Sequence, residues 1–545
     1  MPRPTFPVLV LLALWLLPAC RTVPNPGYNP EYCEGDEDCE NGWTCDIPNN
    51  TCVLPSGTEC SNSGDCARVD EPICDLAAEP STCRGCSDNQ ECADKNAGTP
   101  FCSPDGACTA DVPPACFDSD DCTASATAPI CDTVAGVCES CNDGGGDAAC
   151  EMRDGGNAPF CVTDGAGAGA CASCLDNTHC TADAPVCNAA AGTCSACKEH
   201  SDCAAYSGVC DAGACADESE VVYVQQMNSA DTNDCSKDMP CTTINRGLAV
   251  VAADNQSKHF IRILDSANYS ENITVNGVTL SLIGNDDTRI TGGIDNQPTI
   301  TVAAGSILTL DTMTVRSAAN SSTGIQCLAS TSSVQLDRVI VEDNPGFGIE
   351  VSGCLLAVAR SLIANNRSGG ITITSAGFDI TNSFIAGNGS ATSQVGGVII
   401  TNSTSRTPQR FAFNTVVDNL TGSTAAASGV ACTVPAADIE AGNVATTSSI
   451  IRHGSASKPA TFGNCEWVHS NIEAIPLDPP STNIDDPCTI AYDSEDLPRI
   501  GNTSPCRNSG EPGTGIDIDY DGDPRPDGSG TDKPDMGADE IVETP

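Results

Sequence analysis

Hydrophobic and polar positions between residue 221 and about residue 515 repeat on two scales. On the short scale, apolar side chains alternate within brief runs: Leu308-Thr309-Leu310, Val334-Gln335-Leu336, Leu356-Ala357-Val358, Phe378-Asp379-Ile380 and Phe411-Ala412-Phe413. Alternation at a period of two predicts strands with one buried face. On the long scale the runs themselves recur, with the same step from Val334 to Leu356 as from Leu356 to Phe378, and longer steps on either side. Asn344, Asn366 and Asn388 recur at that same step, and Gly348 and Gly370 share it. Asparagines stacked at one repeated turn can hydrogen-bond coil to coil, which predicts an all-β domain built as a parallel β-helix; a Greek-key sandwich keeps no such period. The step from Asn388 to Asn419 is longer and the local count is one short, so a loop or bulge is expected to interrupt the ladder there.

The start of this region has its own pattern. Val221–Val224 reads as a strand, residues 244–253 as a helix and residues 260–264 as a second strand, followed by Tyr269-Ser270-Glu271-Asn272-Ile273. A helix there covers the first coil and blocks edge-to-edge pairing. Cys235 and Cys241 are placed to staple this cap. The arrangement resembles the opening of right-handed β-helix proteins, and the resemblance extends to about residue 540.

Upstream the pattern is set by cysteine. Of 37 cysteines, 28 lie between Cys33 and Cys215 and 8 between Cys235 and Cys506. The 28 form seven sets of four, starting at Cys33, Cys60, Cys86, Cys116, Cys141, Cys174 and Cys197. Six sets open with Cys-x5-Cys, most with an acidic residue before the second cysteine (Asp38, Asp65, Glu91, Asp121, Asp202). Such units are too small to bury a core, so about fourteen disulfides are expected to hold a repeat array with little regular secondary structure. Their connectivity is open. The spacing resembles the tandem repeats of bacterial surface proteins and, more loosely, Dickkopf amino-terminal and EGF-like modules. A protease-resistant spacer and a recognition module both fit it.

The amino terminus supplies the compartment. Arg3, an apolar run from Val8 to Leu17 and Leu17-Pro18-Ala19-Cys20 follow the order of a signal peptide, and the run is too short to span a bilayer in a mature protein. Leu17 to Cys20 resembles the bacterial lipobox, which implies cleavage of residues 1–19, lipid on Cys20 and a proline-rich tether over residues 20–32. Arg21 in place of aspartate implies the outer membrane and a surface-exposed cell-envelope protein.

Charge narrows the partners. The formal net charge is -49, and residues 31–220 hold 36 acidic against 5 basic side chains. Nucleic acid is thereby excluded as an expected partner, leaving a polysaccharide or a cell-surface protein.

The carboxyl-terminal segment 515–545 is read as an acidic cap. Asp517, Asp519, Asp521 and Asp523 alternate around Gly522, like the start of an EF-hand loop, and are candidate Ca²⁺ ligands. Gly528 stands where that loop needs its bidentate glutamate. The run, with Arg525 and Asp535-Met536-Gly537-Ala538-Asp539-Glu540, also resembles the end of choice-of-anchor Q proteins, where Arg525 paired with Asp539 or Glu540 would seal the last coil.

Many right-handed β-helices are pectate lyases or related enzymes, so the fold alone raises catalysis by analogy. Asp286-Asp287 and His453-Gly454 resemble parts of the hydrolase pattern, but no glycine precedes His453 and no Arg-x-Lys is present. For a lyase, Arg338 and Arg360, separated by the same step as the asparagines and standing beside Asp337, are the weak candidates for base and partners. The sequence therefore favours a non-enzymatic binding or structural lipoprotein over the alternative, an extracellular polysaccharide lyase or hydrolase.

Overall fold

The computed structural model describes residues 44–46 and 51–53, short stretches between 60 and 164, and residues 168–541 except 228, 255–256, 318, 321, 423, 455–457, 474–481, 485 and 527–532. The expected signal peptide, Cys20 and the tether lie outside the described residues. No helix among the described residues is long and apolar enough to cross a membrane. Two compact bodies are distinguished: Met1–Leu175 with Asn188–Thr193, and Asp176–Cys187 with Cys194–Pro545.

In the described units of the array, the first cysteine of a unit bonds the third and the second bonds the fourth. Cys60–Cys74 with Cys66–Cys83 sets the pattern, and Cys86–Cys102 with Cys92–Cys108 and Cys197–Cys210 with Cys203–Cys215 repeat it. The third and fourth cysteines face each other across a short antiparallel ribbon, as Cys74 does Cys83 and Cys210 does Cys215. The recurrent acidic residue closes the loop after the first cysteine. Asp65 Oδ2 accepts from the backbone of Ser61 at 2.8 Å and Asn62 at 3.1 Å, and Asp202 Oδ2 from Lys198 at 2.8 Å and Glu199 at 3.0 Å. With Cys92, Cys141, Cys174 and Cys203 fully buried, the half-cystines themselves are much of each small core.

The second body contains three columns of parallel strands, here faces A, B and C, which belong to one 16-stranded and one 8-stranded sheet. Face A runs from Val221–Val224 through Phe260–Ile263 and Thr279–Ile283 to Ala445–Thr447. Face C runs from Ile273–Val275 to Thr461–Gly463. Faces A and B share two long strands, Ile307–Ser317 and Ser333–Glu342. These bend at Thr312 and Arg338, whose φ values are both 55°. Arg360, Asn382, Phe413 and Ser448 continue the column of left-handed residues, an uncommon conformation outside glycine that turns the chain sharply. The right-handed parallel β-helix is thus the observed fold. Its interior is the expected stack of alternate apolar residues, such as Ile325, Ile349, Ile371, Val398 and Val430 on face C.

The expected break in the asparagine ladder is not found. Asn388 Nδ2 donates to Asn419 Oδ1 at 3.0 Å, as Asn344 and Asn366 do to their successors at 2.8 and 2.9 Å. The strands lengthen their step by the same amount as the ladder does there, because Phe378 pairs with Gln409 and Ile380 with Phe411. Gln409 takes an inward position, bonded to Asp438 at 2.8 Å, so a polar residue hid the register. Phe413 belongs to the bend. A second ladder links Ser361, Ser383, Asn414, Ser449 and Ser470, each backbone N–H donating to the next side-chain oxygen at 3.1–3.2 Å. Buried polar groups satisfied in series favour a single register.

The amino-terminal cap is as expected. Helix Ile244–Ala253 buries Ile244, Gly247, Leu248 and Val251. Glu271 accepts from the N–H groups of Ile244 and Asn245 at 2.9 Å, capping the helix whose end it faces. Cys235 bonds Cys241.

Two flanking segments cover the β-helix from outside. The seventh cysteine unit packs on the first coils, where Val209 joins Val221, Tyr223, Phe260 and Ile283 in one buried cluster. The carboxyl-terminal segment packs on face B: Leu497 and Ala538 meet Phe384, and Cys488, Ile500, Cys506 and Met536 meet Ile450. This explains why the face B strands Phe384–Ala386 and Thr415–Val417 are buried throughout. Strands covered on both sides read as continuous apolar runs.

Candidate functional site

The residues singled out for lyase chemistry sit at the bend between faces A and B, where they neutralise one another. Arg360 Nε donates to Asp337 Oδ1 at 2.8 Å while Nη2 meets Oδ2. Arg338 Nη2 donates to Asp311 at 2.9 Å, and Nη1 to Glu199 of the seventh cysteine unit. His200 of the same unit completes the group. Its Nδ1 accepts from Cys210 N at 3.0 Å and its Nε2 lies 3.3 Å from Asp311 Oδ2. Burial pushes the Asp337 carboxyl up against the pull of Arg360, and burial, with Arg360 nearby, brings Arg338 down to about 10. A base needs an open lone pair beside substrate; Arg360 and Asp337 are spent on each other, while Arg338, Glu199 and His200 pair with their neighbours at the edge of a pocket of about 320 Å³ that Arg262 and Asp286 also line. They latch the seventh cysteine unit to the coils. The sequence showed Arg338, Arg360 and Asp337 but not Glu199 and His200, which come from the cysteine array, nor Asp311, which stands in register with Asp337 one coil earlier.

The four alternate aspartates also take separate roles. The chain reverses at Gly522, with φ 92°, so they do not share one face. Asp519 is fully buried: Oδ1 accepts from the N–H groups of Asp521, Gly522 and Asp523 at 2.8–2.9 Å, and Oδ2 from Glu540 N at 2.8 Å. Asp521 pairs with Arg499 at 2.5 Å, while Asp517 and Asp523 are exposed. Arg525 faces Glu540, one of the two partners expected for it. Its Nη1 lies 3.4 Å from Glu540 Oε2 and donates to Asp535 O at 2.7 Å, and its guanidinium lies 4.5 Å over the Phe413 ring. The location differs from expectation. Asn382 donates to Ile518 O and Gly537 N to Ser448 O, so the segment lies along the bend and face B instead of sealing the last coil. The end of the stack is met instead by Asn483, Ile484 and Asp486: Ser470 N donates to Asn483 Oδ1 at 2.9 Å, and Asn471 Nδ2 to the carbonyls of Ile484 and Asp486.

Face C carries a groove that the sequence did not reveal. It has a volume of about 880 Å³ and is lined by strands and turns of consecutive coils. Its floor is formed by Glu350, Thr372, Thr374, Ile399 and Thr401, and its wall includes Phe347, Arg367, Ser368 and Ser390–Gln394. Strand register aligns Gln326, Glu350, Thr372 and Ile399 in one outward row, and Ser352, Thr374, Thr401 and Thr433 in the next. The wall is the extra length of the coil between Asn388 and Asn419, and it is braced. Ser390 N donates to Ser393 Oγ at 2.9 Å, and Gly422 N of the following coil donates to Ser393 O at 2.8 Å. Hydroxyls both donate and accept, so such a floor can meet a polyhydroxylated ligand without a fixed donor pattern. Among the described lining residues Glu350 is the one carboxylate. Glycoside hydrolysis in its usual form takes two, roughly 5–10 Å apart.

No family model and no curated protein matches the chain. Among solved structures, that of pectate lyase Pel9A aligns with 59% of this chain and 96% of its own at 12% identity and a TM-score of 0.27. That of the pectin methylesterase from Aspergillus niger in deglycosylated form aligns with 49% of this chain and 84% of its own, at 12% identity and a TM-score of 0.18.

Proposed function

We propose that this chain is a non-catalytic glycan-binding lipoprotein of the cell envelope. In this reading lipid on Cys20 holds it at a membrane, the cysteine-rich array is a spacer, and face C of the β-helix is the recognising surface. The observation that carries the reading is the preformed groove on face C. It combines a hydroxyl-rich floor, one carboxylate, one guanidinium and one aromatic ring, the few convergent polar groups expected of a ligand site. The alternative, a polysaccharide lyase or hydrolase, has less support, because its candidate residues Arg338, Arg360 and Asp337 are tied into the latch.

A glycan array probed with the purified full chain, paired with a reducing-end assay on every glycan bound, tests the proposal. Binding with no new reducing ends is expected. Release of reducing or unsaturated ends would replace it with the enzymatic reading, and capture of a cell-surface protein with no glycan bound would replace it with protein adhesion.

A further inference from the structure

We infer that the ligand of face C is an uncharged glycan, with a sugar ring against Phe347 and hydroxyls on Glu350, and not a polyuronate. The inference rests on the glycan-binding reading above and narrows it to a substrate class.

The two residues share one strand, Phe347–Ser352, and line one groove. Phe347 is half-buried, and its ring lies against Gly369 of the next coil. A Cβ at Gly369 would stand 2.8 Å from the ring's Cε1, and the φ of 150° there favours glycine, so the sequence leaves room for the ring in that position. An aromatic face offers an apolar platform to the C–H side of a sugar. Glu350 is held by Gln326, whose Nε2 donates to Oε2 at 2.7 Å. Oε1 remains to accept from a ligand hydroxyl, and an acceptor-only carboxylate selects donors.

Charge then separates the classes. A polyuronate brings one carboxylate with every ring, and each needs a cation. Among the described lining residues the groove offers one guanidinium, Arg367, and one opposing carboxylate, Glu350. The chain as a whole carries -49 and repels polyanions at long range. Neutral sugars meet no such penalty. The row Ser352, Thr374, Thr401 and Thr433 places one hydroxyl per coil, at the roughly 4.8 Å spacing of neighbouring strands. That is close to the advance of a linear glycan per ring. The braced Ser390–Gln394 wall means little ordering is left for binding to cost.

The test is calorimetric titration of the purified full chain with two ligand sets, neutral oligosaccharides (β-glucan, mannan and xylan) and oligouronates (oligogalacturonate and alginate). At least one neutral oligosaccharide is expected to bind, with affinity nearly independent of salt. Phe347→Ala and the isosteric Glu350→Gln should each weaken it tenfold or more, and Arg367→Ala less than twofold, at an unchanged thermal midpoint. Oligouronate binding that is lost in Arg367→Ala would overturn the inference while leaving the glycan-binding reading intact. Binding of neither set would overturn both. Neutral-glycan binding unaffected by Phe347→Ala and Glu350→Gln would place the site elsewhere and also overturn the inference.

Discussion

Faces B and C belong to the same coils yet differ in what lies outside them. Face B turns Leu362, Phe384, Thr415 and Ile450 outward in one register row, and the carboxyl-terminal segment covers most of it. Face C turns Thr374, Thr401 and Thr433 outward in one row and Glu350, Thr372, Ile399 and Ala431 in the next, so its outward positions are mixed and only partly polar. The inner rows are alike. What separates the covered face from the open one is therefore the outward half of each strand, apolar where the carboxyl-terminal segment packs and richer in threonine where nothing among the described residues covers it.

If covering segments stabilise and the bare face binds, substitutions on the two should have opposite phenotypes. The largest effect on stability is expected at the bend. Arg525→Met removes the buried guanidinium that faces Glu540 and donates to Asp535 O, and breaking a buried pair from one side costs about 3–5 kcal/mol. Chemical denaturation of the full chain should show that loss in the β-helix transition. EGTA should leave the midpoint unchanged, because Asp519 is satisfied by backbone N–H groups and Asp521 by Arg499; a calcium-dependent midpoint would support the metal reading for Asp517, Asp519, Asp521 and Asp523.

A pH-dependent effect of somewhat smaller size follows from Asp539. Burial, against the opposing pull of Arg499 and with Asp519 adding to it, raises its carboxyl to about 6. A carboxyl raised in the folded state contributes stability that is fully present below the ordinary value near 4 and is lost as pH rises through about 6. The folded domain should thus gain about 2–3 kcal/mol from this group on acidification from pH 7 to pH 4. Asp539→Asn should flatten that part of the profile, and an unchanged slope of midpoint against pH would contradict the assignment.

Within the ladder, Asn366→Ala removes the donor to Asn388 Oδ1 and the acceptor for Asn344. It should cost about 1–3 kcal/mol by leaving buried groups unsatisfied, measurable as faster amide exchange in the flanking turns. The smallest effect on stability is expected on face C. Thr374→Ala and Thr401→Ala replace solvated side chains and should change stability by less than about 0.5 kcal/mol, while each lowers glycan affinity measured by titration.

Much of this architecture was legible in the chain. The constant recurrence of Asn344, Asn366 and Asn388 marked the coil, and the Tyr269-Glu271-Asn272 motif marked its capped start, where Glu271 and Asn272 bond free backbone groups and Tyr269 donates to Asp265. Gln409 concealed a register, since a buried glutamine satisfied by Asp438 reads as a surface residue. The second ladder was hidden because serine and asparagine substitute for each other in it. The groove was illegible for a different reason. Phe347, Arg367 and Ser390–Gln394 meet only when coils stack, and an insertion reads as a loop until its bracing by Gly422 is seen. The latch partners Glu199 and His200 were hidden in the cysteine array, where spacing spoke only of disulfides.

The most direct test of face C as the functional surface is a hydrogen-exchange footprint of the full chain with a bound neutral oligosaccharide. Slowed exchange is expected in the strands Phe347–Ser352, Gly369–Thr374 and Val398–Thr401 and in the wall at residues 390–394, with residues 488–541 and the latch around Arg338 unchanged. Protection confined to the carboxyl-terminal segment or to the latch, with face C unchanged, would contradict the account.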